Sequence, residues 1–178
     1  MVDGSTRQTR EAAVRMLRIL IIIVLSTGVL MVGTGAQAEE PASGNLDGFT
    51  IGWVPAGVGT QVSDFSYEWE EVAFSSRVWE RELDNGDGFQ VDLTVAVLRG
   101  DRLVDQAALL AFLSEYHEQD PNTWDVAPFS HGDLLGGIAP DHAFWLVEPG
   151  LAVSVRLAPE RFGADDLTAT ARGVTSDL

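Results

Sequence analysis

The chain has 178 residues, no cysteine, no lysine and a formal charge of −16, so its fold rests on packing rather than on disulfides. Nucleic-acid affinity depends on basic side chains set against phosphate, and this composition excludes that role and an affinity for anionic membrane surfaces. Solubility is the first reading of such a surface, and attraction of cationic partners or divalent ions is the alternative.

Met16-Leu17-Arg18 precedes an apolar run from Ile19 to Val32, and Ala36-Gln37-Ala38 follows. A basic end, an apolar middle and an A-x-A site are the three parts of a secretory signal peptide. Residues 1–38 are therefore expected to be a signal peptide cut after Ala38, with Met16 as an alternative start. The competing reading is an uncleaved membrane anchor. Counted through Ala38 the segment reaches the roughly 20 residues that a spanning helix needs. Ser26, Thr27 and Gly28 interrupt it, however, and no basic stop-transfer cluster follows. The expected location is secreted or in the extracytoplasmic cell envelope; the alternative is anchoring by the N-terminal helix, the one case in which membrane contact is expected.

Beyond the leader the chain is one domain by length, with residues enough for a core. Residues 39–47 are expected as a flexible lead-in and 48–178 as a single α+β domain. Phe49 to Val54 alternates as a short strand, stopped by Pro55 and Gly57. In the next stretch Phe65, Tyr67 and Trp69 share one face, while Val72, Phe74 and Val78 have the opposite parity. A β-bulge near Glu70-Glu71 is expected to reconcile them. Asp84 to Gly88 (DNGDG) is a strong turn signal, and Phe89 to Val97 alternates cleanly beyond it, which makes a long hairpin.

From Asp101 to His117 the period becomes helical, with Asp101 as the expected N-cap and a broad apolar face. Trp124 to Leu135 has no clear period, and Asp133 to Gly137 suggests a short strand and a turn. Ala143, Trp145 and Val147 alternate up to Pro149-Gly150, which suits a type II turn; Leu151, Val153, Val155 and Leu157 alternate on the return. A short helix opens near Gly163 and closes near Gly173. Strands, a helix, more strands and a final helix predict an α+β fold. Its expected form is a single antiparallel sheet of about five to six strands with two helices packed on one face.

Chemistry-bearing motifs are sparse. DNGDG fails as a calcium loop, because aligning its Gly88 puts Leu83 first and Thr94 twelfth, where oxygen ligands are required. His131, Asp133, Asp141 and His142 lie close in sequence and form the candidate set for a metal-assisted or acid–base hydrolase. His117 suits a helix C-terminus. Five tryptophans mark either core or contact surface. Among them Trp79, flanked by Arg77, Glu80 and Arg81, is the best candidate for exposure. The alternating glutamates from Glu68 to Glu82 read as the solvent side of a strand.

The closing unit, with Trp145, Pro149-Gly150, the return through Leu157 and the segment Leu167 to Val174, resembles the C-terminal part of bacterial secreted domains of unknown function. These occur notably in actinobacteria, beside anti-sigma-factor-like and lipoprotein-carrier-like envelope proteins. The resemblance covers about the last forty residues and carries over no site residues. It implies an exported, non-catalytic envelope domain that binds an apolar ligand or a regulatory partner. The expected function is thus an acidic secreted binding domain contacting an apolar ligand or protein partner through an aromatic-rich sheet face. Tyr67, Trp69 and Trp79 are the expected contacts, and no cofactor or metal is expected.

Overall fold

A computed structural model of the chain describes residues 43–120 and 123–177. All of them belong to one compact unit, Ala38–Leu178. The leader, on which the signal-peptide and anchor readings both rest, lies outside the described residues. Among those described, no helix is long and apolar enough to cross a membrane.

Two short strands come first, β1 (Gly44–Leu46) and β2 (Phe49–Ile51), followed by the long strands β3 (Gln61–Trp69), β4 (Val72–Glu82) and β5 (Phe89–Arg99). Helix α1 (Gln106–Tyr116) precedes β6 (Ala127–His131), β7 (Leu134–Ala139), β8 (His142–Glu148) and β9 (Leu151–Leu157). Helix α2 (Ala164–Arg172) and β10 (Val174–Ser176) end the fold. The long strands and β6–β9 form a seven-stranded sheet in the order β3-β4-β5-β9-β8-β7-β6; the short ones form a three-stranded sheet, β1-β2-β10. Every pairing is antiparallel.

Alternation along the central strands fills both faces of the large sheet. Leu93, Val95 and Val97 of β5 join Val153 and Val155 of β9, Trp145 of β8 and Trp79 of β4 on one face. The three-stranded sheet (Leu46, Phe49, Ile51, Val174) and α2 (Leu167, Ala171) cover that face. Ala96 and Leu98, with Ala152 and Phe144, point to the other face and pack under Leu109, Phe112 and Leu113 of α1. Burying each such side chain is worth about 1.5–3 kcal/mol, so two filled faces explain stability without disulfides.

The expected single sheet of five to six strands is therefore corrected to a mostly β architecture of two sheets, seven- and three-stranded. The two helices lie on opposite faces of the large sheet, not on one. The residues expected as a lead-in include a strand, β1, and β10 closes the small sheet where no strand was expected. Strands of three residues are too short to show a period.

Glu70 and Glu71 form the second correction. Both are left-handed (φ 47° and 65°), and they make a two-residue turn between β3 and β4, with Trp69 opposite Val72. Such turns ordinarily use Asn-Gly or Asp-Gly because two positive φ angles strain other residues. A Glu-Glu pair hides the hairpin. The bulge falls between Trp79 and Glu80, against β5.

Helix α1 starts a turn later than expected, and its N-cap is Asp105, whose carboxylate accepts from the Ala108 N–H at 2.8 Å. The DNGDG segment closes the β4–β5 hairpin through Leu83 N–H to Gly88 O, 2.9 Å. Gly150 has φ 89°, as the glycine of a type II turn must. Gly163 caps α2, its N–H donating to the Asp166 carboxylate at 3.0 Å.

Asp92 ties the loops to the sheet. Its carboxylate has no exposed surface, accepts from the Gly59 N–H at 2.9 Å, and pairs with Arg81 at 3.2 Å and with Arg161. Arg161 also donates to Gly57 O at 2.9 Å. A buried carboxylate is tolerated only where charges and donors of this kind surround it.

Candidate functional site: an aromatic row ending on an open edge strand

Ring contacts run across the α1 face of the large sheet. Tyr67 of β3 stacks on Phe74 of β4, 4.8 Å between centroids and 10° between planes. Phe74 stacks on Tyr116 in the last turn of α1 at 4.9 Å. Tyr116 meets His117 at 4.7 Å, His117 meets His142 of β8 at 4.8 Å, and Trp124 lies 5.6 Å beyond. The Tyr67 and Tyr116 hydroxyls are 2.7 Å apart, which pins the helix end to the edge strand. Trp69 closes edge-on against Phe112 and Tyr116, each at 5.3 Å.

The inner end of the row is sealed. His142 is 2 % exposed, and its Nε2 lies 2.7 Å from the Ser154 hydroxyl. Burial, then repulsion that a proton on His142 would meet from the His117 site and from Arg156, holds His142 well below the ordinary histidine pKa. Burial and Arg156 push His117 down to about 3. Both rings are neutral at pH 7. His142 and Ser154 have the spacing of a base and its nucleophile, but both are buried in the packed sheet. The Asp141 carboxylate is engaged by Arg156 at 3.3 Å.

The outer end is open. Phe65 is 41 % exposed and Tyr67 39 %, two residues apart on one face of β3. The Tyr67 pKa is raised by burial of its hydroxyl end and by Tyr116, so the phenol stays protonated at any physiological pH. β3 is also the edge of the seven-stranded sheet, and among the described residues its backbone pairs with β4 alone. Every second residue of such a strand turns its N–H and C=O outward. On the opposite face of β3, Asp64 is bound by Arg77 at 2.7 Å, and Glu68 is exposed. A shallow open groove there is lined by Ser43, Gly44, Asn45, Val62, Asp64 and Arg77.

The sequence-derived sets divide accordingly. Tyr67 and Trp69 come together at the open end, Trp69 partly covered. Trp79, expected to be exposed, is 0 % exposed in the core of the other face, so it shares no surface with them. Its parity was readable, but the turn at Glu70-Glu71 sets the face on which each parity falls.

The hydrolase set does not assemble. His131 stacks on Trp145 (4.5 Å, 3°) on the α2 face, His142 lies on the α1 face, and Asp133 sits in the β6–β7 turn. Among the described residues no three His, Asp or Glu side chains are grouped to hold a metal. Phe65 is the contact candidate that sequence reasoning left out, although its shared face with Tyr67 was legible.

Comparison with family models, with curated proteins and with solved structures finds no match to this chain.

Proposed function

We propose that this chain is an acidic, non-catalytic binding domain, exported to the cell envelope, that contacts a protein partner through the aromatic face of β3. The observation that carries this reading is Phe65 beside Tyr67, 41 % and 39 % exposed on an edge strand. Apolar rings left side by side on an open edge are a hazard unless something covers them. Surface contact is favoured over an enclosed apolar ligand because both sheet faces are filled by packed side chains. The split of His131 from His142 across the sheet weighs against the hydrolase. Export rests on the leader's three-part pattern, and the resemblance of the closing unit to secreted envelope domains agrees with it.

A photo-crosslinking residue at position 65, introduced in the producing cells, tests the reading. Position 135 is the control, since Leu135 is 71 % exposed and lies on β7, toward the far edge of the sheet. A discrete protein adduct at 65 and none at 135 is expected. No adduct at 65, or the same adducts at both, overturns it.

A further inference from the structure

We infer that the β3 edge takes up an extended, basic strand from its partner, adding an eighth strand to the large sheet. The inference rests on the contact face proposed above and adds how the partner binds and what it carries.

The open edge offers a row of outward N–H and C=O groups along nine residues, Gln61–Trp69. Strand addition satisfies such a row with main-chain hydrogen bonds, while alternate side chains supply specificity. The two faces of β3 present different chemistry to an added strand. Phe65 and Tyr67, with Ser63 beside them, offer an aromatic face; Asp64 and Glu68 offer an acidic one, with Glu71 and the Arg102-paired Glu70 at the turn beyond. The Asp64 carboxylate is engaged by Arg77, whereas Glu68 faces solvent near the Trp69 end of the edge. A strand that alternates apolar residues with arginine or lysine matches both faces at once.

A second copy of this chain is disfavoured by charge. An antiparallel β3–β3 pair centred on Ser66 would set Asp64 opposite Glu68 twice over, and like charges directly opposite destabilise a sheet. With a net charge of −16, the chains also repel each other before they meet. The acidic chain as a whole therefore favours a basic strand over a second copy of itself.

The test uses the protein purified from its producing cells and a peptide of the length of β3 that alternates arginine with valine. Its controls carry glutamate for arginine, the same composition with the arginines in one block, or N-methyl groups on alternate residues. Binding of the alternating peptide is expected, with slowed amide hydrogen exchange along residues 61–69. Binding should weaken about tenfold or more on N-methylation, which removes several shared hydrogen bonds. Glu68→Gln and added salt should weaken it as well.

Equal binding of the blocked or glutamate peptide overturns the inference, as does indifference to N-methylation or a stable homodimer by sedimentation. Should crosslinking at 65 succeed while the alternating peptide fails, strand addition is overturned and the contact face stands. Failure of the crosslink removes the contact face itself.

Discussion

His142 Nε2 and the Ser154 hydroxyl are 2.7 Å apart on neighbouring strands of the sheet, with the His117 ring set edge-on against His142 at 4.8 Å. This is a buried, neutral polar junction where the helix end meets the sheet. Arg156, Tyr116 and Trp124 are its other polar and aromatic neighbours.

Its neutrality gives the fold a definite response to acid. Both histidines have folded pKa values below the ordinary 6.5, so the unfolded chain binds protons first. Stability is complete above pH 6.5 and falls as pH drops toward the folded values, near 3 for His117. The slope is about 1.4 kcal/mol per pH unit for each histidine. Urea unfolding between pH 7 and pH 5, above the range where carboxylates titrate, reads this slope. His117→Gln should reduce it by about half, and a slope unchanged by that substitution would show that the His117 ring is not one of its sources.

Trp79 and Phe65 should behave as opposites. Trp79→Ala removes a fully buried indole and should cost about 3–5 kcal/mol. Phe65→Ser, at an exposed position, should change stability by no more than about 0.5 kcal/mol and act on binding alone. Thermal or urea denaturation of the two variants side by side measures the contrast.

Asp92→Ala should destabilise by about 3–5 kcal/mol, because it leaves Arg81 and Arg161 without their shared carboxylate and the Gly59 N–H without its acceptor. Equilibrium unfolding checks this. A loss below about 1 kcal/mol would mean that water replaces the carboxylate and that the cluster does not hold the loop.

Gly59 and Gly57 separate crowding from backbone strain. A Cβ on Gly59 would lie 2.1 Å from the Glu80 carbonyl carbon, so Gly59→Ala forces the backbone of β4 to move. Gly57 has open space around it but a φ of +82°, so Gly57→Ala carries strain alone, about 1 kcal/mol. Gly59→Ala should show the larger loss of melting temperature.

Much of the sheet was legible because β5, β8 and β9 alternate cleanly and their turns use DNGDG and Pro-Gly. Sequence pattern failed where the backbone departs from ordinary turn chemistry. At Glu70-Glu71 two left-handed glutamates replace the usual Asn-Gly, and a hairpin resembled a bulge. The small sheet escaped because its strands are three residues each, although Asp47 and Gly48, with φ 50° and 84°, form the Asp-Gly turn that announces its first hairpin. At the site, the shared face of Phe65, Tyr67 and Trp69 was visible in the sequence. That β3 is an edge was not, because edge position depends on which distant strand pairs beside β5.

That distant partner is β9. Val95 faces Val155, so the middle of the sheet joins strands separated by α1 and the whole β6–β8 meander. During synthesis β5 emerges long before its neighbour, and its valine-rich outer edge stays unpaired until nearly all of the chain is present. Such distant pairing slows folding, because a long loop must close before the contact repays it. The domain therefore completes itself late. A chain cut short before Leu151 would leave this valine-rich central strand as a naked border and should be cleared or aggregate rather than persist as a smaller fold.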